Sequence, residues 1–290
     1  MLKFSHSVVG PSVGRRSAAS GPGGNVPRVR IVVCVKHVPD IQSERALGPD
    51  GRVVRDGGDG TINELDENAL EAALALVEAH EGSVVALTVG PDDAADAVRR
   101  GLQLGAEEAV HVVDDAIAGS DVIGTARVLA AAIRHLDAQE HVDLVVTGMA
   151  GLDGLTSLLP TALAELLDLP ALPLAAELTV SDGSVRVRRN LDHAAEVLEA
   201  PLPALVSVTD QANEPRYPNF KGIMAARKKP ITTLTLADLE VDAARVGSAG
   251  ARTEVLEAAA RPPRDNRVLV QDTGDAGIRL AAYLVDNQLV

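Results

Sequence analysis

Aromatic residues are nearly missing from this chain: 290 residues hold no tryptophan, two tyrosines and two phenylalanines. No protein chromophore stands out, so any electron-handling role falls to a bound cofactor. A single cysteine, Cys34, excludes an internal disulfide and any multi-cysteine metal or iron–sulfur site. No apolar run reaches the roughly 18 residues that span a bilayer, so no membrane insertion is expected. Cations are short as well. Lys and Arg total 27 against 41 Asp and Glu, a net charge of −14, and such a chain repels phosphate as a whole. General nucleic-acid binding is therefore not expected. The seven histidines are scattered, and no HExxH, Ser/His/Asp order or carboxylate pair stands out. No metal site and no catalytic residue is expected. What is abundant is Ala, Leu and Val, which carry nearly all of the 46% hydrophobic content.

Residues 1–27 contain no acid and are rich in Ser, Gly and Arg, which reads as a disordered tail. Order is expected from 28 to 235 in one α/β domain. RVRIVVCV (28–35) is a continuous apolar run of the kind found in buried parallel strands. SVVALTVG (83–90), VHVV (110–113), VDLVVTG (142–148) and ALVSVTD (204–210) read the same way. Between them lie ELDENALEAALALVEAH, PDDAADAVRRGLQLG, SDVIGTARVLAAAIRHLD and TSLLPTALAELLDL, all helical in period, with Ser120 as the expected cap of the third. Strands alternating with helices predict a Rossmann-like parallel sheet with helices on both faces. LAAELTV, SVRVRRNL and AAEVLEA are short and close together, and predict an antiparallel addition. From 236 to 290 the pattern weakens into an extended C-terminal arm suited to packing on a partner.

In an open parallel sheet, ligands bind beyond the carboxyl ends of the strands. Three loops qualify: CVKHVPD, VGPDD and TGMAGLDGLTS (147–157). The last has glycines and small hydroxyl residues leading into a helix, so backbone N–H groups can face an anion. It is neither G-x-G-x-x-G nor a P-loop. Lys36 and His37, after the first strand, are candidates to touch a ligand, but a lone Lys after a strand is usually solvated and His37 carries no general-base role; Cys34 reads as inert core.

NEPRYPNFKGIMAARKKPI (213–231) places Tyr217 and Phe220 in a segment of Pro, Asn, Gly and Lys that reads as loop. Burying a Phe is worth roughly 1.5–3 kcal/mol, so a ring left in water invites a cover. A hydrophobic anchor rimmed by cations suits transient docking to an acidic surface.

IVVCVKHVPD, INELDENALEAAL, GLQLGAEEAVHV, DLVVTGMAGLDG and NEPRYPNFKGIMAARKKPI, in this order, resemble the β subunit of electron transfer flavoprotein. The resemblance runs from about Val29 to Val241. It implies an adenine nucleotide hydrolase-like fold and a heterodimer with an α subunit that supplies most of the site for a redox-active FAD. In common members the β subunit buries an AMP of structural role. The pocket positions fall on Cys34, Asn63, Glu64, Leu65, Asp66, Val89, Gly148, Met149, Asp153, Gly154, Thr156 and Ser157. The docking loop falls on Asn213, Glu214, Pro215, Arg216, Tyr217, Phe220, Lys221, Ile223 and Met224, with Phe220 at the anchor position and Arg216, Lys221 and Arg227 to Lys229 as steering cations. The implied function is an electron-carrier subunit, not an enzyme. Electrons would pass from acyl-CoA dehydrogenase-type flavoenzymes, through the FAD, to the electron transfer flavoprotein–quinone oxidoreductase at the membrane. It would work in a bacterial cytoplasm, or in the mitochondrial matrix were the tail a transit peptide. Two departures stand out. Leu155 and Leu158 replace polar groups of the family loop, and Asn190 stands where some members carry a glutamate. The alternatives are an electron-bifurcating β subunit with its own FAD and an NADH donor, or a stand-alone nucleotide-binding protein.

Overall fold

The computed structural model describes residues 28–290 except 56, 260, 264–268 and 270. The tail expected at 1–27 lies outside the described residues. The strands are β1 (Val29–Cys34), β2 (His37–Pro39), β3 (Gly60–Ile62), β4 (Gly82–Val89), β5 (Glu108–Val112) and β6 (Leu144–Gly148). There follow β7 (Ala171–Ala175), β8 (Glu177–Ser181), β9 (Ser184–Asn190), β10 (Ala195–Pro201), β11 (Ala204–Val208) and β12 (Thr232–Leu234). The helices are α1 (Glu64–His80), α2 (Ala95–Leu104), α3 (Val122–Gln139), α4 (Leu159–Leu167), α5 (Phe220–Ala226), α6 (Gly247–Gly250) and α7 (Ala276–Asp286).

Seven strands form one sheet in the order β12-β5-β4-β1-β6-β11-β7, and every pairing is parallel. From β1 the chain builds outward through β4 and β5 on one side and through β6 on the other. The switch point therefore falls between β1 and β6, where a crevice opens beyond the strand ends. The alternation within β1 serves both faces. Ile31 and Val33 pack with Leu70, Leu74 and Val98 of α1 and α2. Val32 and Cys34 pack with Leu129, Ile133 and Leu163 of α3 and α4. Both clusters are aliphatic, as the composition demands.

The antiparallel addition is the three-stranded sheet β10-β9-β8, whose Val185, Val187 and Leu198 join the α1–α2 face of the core. LAAELTV is not one strand. Its first half ends β7, an edge strand of the parallel sheet, and its second half is β8. Ser120 does not cap α3. Asp121 does, accepting from Gly124 N at 2.8 Å, while Ser120 Oγ donates to Ile117 O and accepts from Gly247 N. Pro160 sits in the first turn of α4, where its missing N–H has no partner to lose. The residues before Leu159 are therefore loop, not helix.

The compact unit ends at Val255, twenty residues past the boundary expected from the sequence. Leu236, Leu239 and Val246 are buried in the α3–α4 face, which explains the difference: a weak periodic pattern still supplied core residues at wide spacing. Leu256–Val290 forms a second unit, in which α7 buries none of its side chains and leaves Ile278, Leu280 and Val285 largely exposed.

Asp121→Ala is expected to lower the unfolding free energy by about 1–2 kcal/mol, the usual cost of a lost helix cap. Urea denaturation followed by far-UV circular dichroism checks this; an unchanged midpoint would contradict the assignment.

Candidate functional site

The crevice between β1 and β6 is built around Asn63, the residue before α1. Its side chain is wholly buried. Nδ2 donates to Ala150 O at 2.9 Å, and Oδ1 accepts from Leu152 N at 3.0 Å. Its backbone N–H donates to Lys36 O at 2.8 Å. One amide thus joins the loop after β1, the start of α1 and the glycine-rich loop after β6.

Asp66, in the first turn of α1, reaches the same place. Its Oδ2 accepts from Lys36 N at 2.8 Å. Gly148 must be glycine here, because a Cβ would meet Asp66 Oδ1 at 2.4 Å and Leu65 O at 2.8 Å. Burial pushes the Asp66 carboxyl up to about 7, against the hydrogen bonds from Asn63 and from the Lys36 and Gly148 backbone. Burial, with the neighbouring Asp66, also pushes the Cys34 thiol up to about 12. Cys34 is thus a protonated, inert thiol at neutral pH, in keeping with its reading as core.

Asp153 closes the crevice from the other loop. It is buried, and its Oδ2 accepts from Lys36 Nζ and from Arg55 Nε, each at 2.7 Å. Burial works to raise its pKa, but the two cations outweigh it and hold the carboxyl below the usual range. Arg45 adds a third cation, donating to Leu152 O at 2.9 Å. Two cations pair with Asp153 and a third lies on the neighbouring Leu152 carbonyl, so cations gather at this loop on a chain of net charge −14. Arg45 and Arg55 were not singled out from the sequence. They lie in the polar 41–60 excursion outside any motif, and their only signal was cationic charge in a chain poor in it.

The structure brings together Cys34, Asn63, Leu65, Asp66, Gly148 and Asp153, with half-buried Met149 between the last two. Glu64, Gly154, Thr156 and Ser157 are exposed at the rim, and Val89 lies at the end of β4 on the neighbouring strand. Gly154 N and Leu155 N both turn back to Gly151 O, at 3.3 and 2.7 Å. Leu155 holds φ at +51° with its side chain 67% exposed, a left-handed position that a branched apolar residue does not favour. The N–H groups of Thr156 and Ser157 have no protein acceptor among the described residues.

The second cluster is the segment 213–229. Asn213 and Asn68 exchange hydrogen bonds: Asn68 Nδ2 donates to Asn213 O and Asn213 Nδ2 to Asn68 O, both at 2.9 Å. Arg216 grips α1 with its whole guanidinium. Nε and Nη2 donate to the two oxygens of Glu71 at 2.6 and 2.9 Å, and Nη1 donates to Glu78 Oε1 at 2.5 Å. Those hydrogen bonds push the guanidinium pKa up and pull the Glu78 carboxyl down. Arg216 is therefore a neutralised anchor, not a steering cation as expected. Lys229 donates to Ala106 O at 2.8 Å. That leaves Lys221, Arg227 and Lys228 exposed and without an ion pair among the described residues. Asn219 caps α5 by accepting from Gly222 N, so part of the expected loop is a short helix that begins at Phe220. Tyr217 is 89% and Phe220 79% exposed, Met224 is exposed and Ile223 and Pro215 are half-buried. Glu214 is exposed.

A parallel sheet with a switch-point crevice and an antiparallel addition places the chain in the Rossmann-like α/β class. The family model for the electron transfer flavoprotein domain matches residues 50–239. The electron transfer flavoprotein subunit beta of Mycobacterium leprae (strain TN) is 41% identical over 266 residues, covering 90% of this chain and 99% of that protein. Its namesake from Megasphaera elsdenii is 34% identical over 251 residues, 85% of this chain and 93% of that one. The caffeyl-CoA reductase-Etf complex subunit CarD of Acetobacterium woodii is 32% identical over 246 residues, 84% and 93%. The chain belongs to the electron transfer flavoprotein β-subunit family. Membership assigns it to electron transfer involving a flavin, and a β subunit implies an α-subunit partner. No helix among the described residues is long and apolar enough to cross a membrane.

The folded-state pKa of Asp66 lies above its unfolded value of 3.8, so the folded chain holds that proton more tightly. Stability from this group is present in full below about pH 4 and is lost as pH rises through about 7. Asp66→Asn removes the titration. The difference in unfolding free energy between the two proteins is expected to change by at most about 4 kcal/mol between pH 4 and pH 8. Urea titrations across that range check it; a difference flat with pH would contradict a raised Asp66.

Proposed function

We propose that this chain is the β subunit of a heterodimeric carrier that takes electrons from acyl-CoA dehydrogenase-type flavoenzymes and delivers them to a membrane quinone reductase. The FAD that carries the electrons is held mainly by the α subunit. The observation that supports this most is the exposed ring of Phe220 at the head of a short capped helix. A lone phenylalanine in water loses roughly 1.5–3 kcal/mol of burial, and a docked dehydrogenase would restore it. Lys221, Arg227 and Lys228 steer an acidic partner to it.

The crevice between β1 and β6 holds AMP in this reading. The free N–H groups of Thr156 and Ser157, at the approach to α4, face the phosphate, and Lys36, Arg45 and Arg55 supply positive charge around it. Lys36 and Arg55 would share their hydrogen bonds between Asp153 and the nucleotide. This offsets the polar groups that Leu155 and Leu158 remove from the loop. The Leu256–Val290 unit packs on the α subunit, which would cover the exposed apolar residues of α7.

Two measurements test these readings. Acid release from the heterodimer co-expressed with its α subunit is expected to yield one FAD and one AMP per complex; two FAD and no AMP would move the reading to a bifurcating subunit. Phe220→Ala is expected to raise the KM for a reduced acyl-CoA dehydrogenase by about tenfold, the equivalent of ~1.4 kcal/mol, with FAD content unchanged. Unaltered electron-transfer kinetics would remove the anchor.

A further inference from the structure

The helix that presents Phe220 is too short to hold itself. Seven residues, Phe220–Ala226, make less than two turns, and isolated helices below about 12 residues are marginal in water. The segment also buries little, since Ala226 is its only buried side chain. Its shape must come from what grips it at the two ends.

Both grips are arginines on a neighbouring helix or the segment itself. Upstream, Arg216 forks onto Glu71 and Glu78, two glutamates seven residues apart on the same face of α1. Downstream, Arg99 of α2 donates through Nη1 to Ala226 O and to Lys229 O, the latter at 2.7 Å. Ala226 O ends α5 and, among the described residues, accepts besides only from Lys229 N at 3.3 Å, so a cation there is also favoured by the helix dipole, while Lys229 O lies in the turn that follows. Between the grips the backbone lies close on α2: a Cβ on Gly222 would meet Gln103 O at 2.6 Å.

Resting on the docking reading above, we infer that Arg216 and Arg99 are positioning residues that hold the docking segment in its binding shape before any partner arrives. Neither need touch the partner. Exposed ion pairs contribute little to overall stability, but a bidentate pair with two carboxylates restricts orientation. A ring kept in place loses less conformational freedom on docking than a ring on a mobile loop. The charge count agrees. Arg216 meets two carboxylates and brings no net positive charge to the surface, so its presence in a cationic segment is better explained by geometry than by attraction.

The test uses the purified heterodimer with medium-chain acyl-CoA dehydrogenase reduced by octanoyl-CoA as the probe. Arg216→Gln is expected to speed amide exchange in residues 217–224 by about tenfold, as local opening becomes easier. It should also raise KM by roughly fivefold with kcat and FAD content unchanged, and Arg216→Lys, which keeps charge but loses the fork, should restore only part of it. In a Phe220→Ala background the same change should add less than about twofold, because the clamp acts through the ring. Unaltered exchange and KM in Arg216→Gln, or an equal effect with and without Phe220, overturns the positioning role. If Phe220→Ala alone leaves KM unchanged, the docking reading has failed, and the exchange rates still decide whether the clamp orders the segment.

Discussion

Everything around the crevice depends on the buried amide of Asn63. Its side chain bonds two backbone groups of the glycine-rich loop, and its backbone bonds the loop after β1. An amide buried in this way is costly unless satisfied, and removing it would strand a carbonyl and an N–H in the interior. Asp66 repeats the device one turn later, from a helix start that favours a carboxylate but in a burial that opposes its charge. The two residues fix the separation of β1, β6 and α1 before any ligand enters.

Helix α1 extends that order outward. Its first turn holds the glycine-rich loop, while Asn68, Glu71 and Glu78 further along hold the segment that carries Phe220. One rigid element thus positions both candidate sites. The acidity of the chain acquires a local use here: two of its glutamates convert a surface arginine into a fastening, and another carboxylate, Asp153, does the reverse by collecting Lys36 and Arg55.

Five strands of the sheet were legible as continuous apolar runs between helices with clear apolar spacing, but its two edges were not, since β7 carries a proline and β12 is three residues long and begins with two threonines. The loops of the crevice were legible because ligands bind beyond the carboxyl ends of parallel strands, but which two strands flank it needed the strand order. The segment around Phe220 was recognisable only through its whole motif, and its rings stood out because rings are so rare. What stayed hidden depends on long-range partners. Nothing local distinguishes Arg216, bound to Glu71 and Glu78, from Arg227, which is exposed. Arg55 reaches Asp153 across ninety-eight positions of chain. Asp121 outcompeted Ser120 as a cap because Ser120 was already engaged by Gly247, a contact far along the chain. Leu236, Leu239 and Val246 were assigned to an arm because three core residues spread over eleven positions make no visible period.

The aliphatic interior has a further consequence. Among the described residues no phenylalanine or tyrosine ring is buried: Tyr217, Phe220 and Tyr283 all lie at the surface. The one thiol is protonated and enclosed. Apart from that thiol, the buried side chains described are aliphatic or polar groups, with the imidazole of His111 the one buried aromatic ring. For a protein of an electron-transfer family this leaves the described interior without a redox-active aromatic side chain. No tyrosine or tryptophan among the described residues lies buried to act as a stepping stone for an electron.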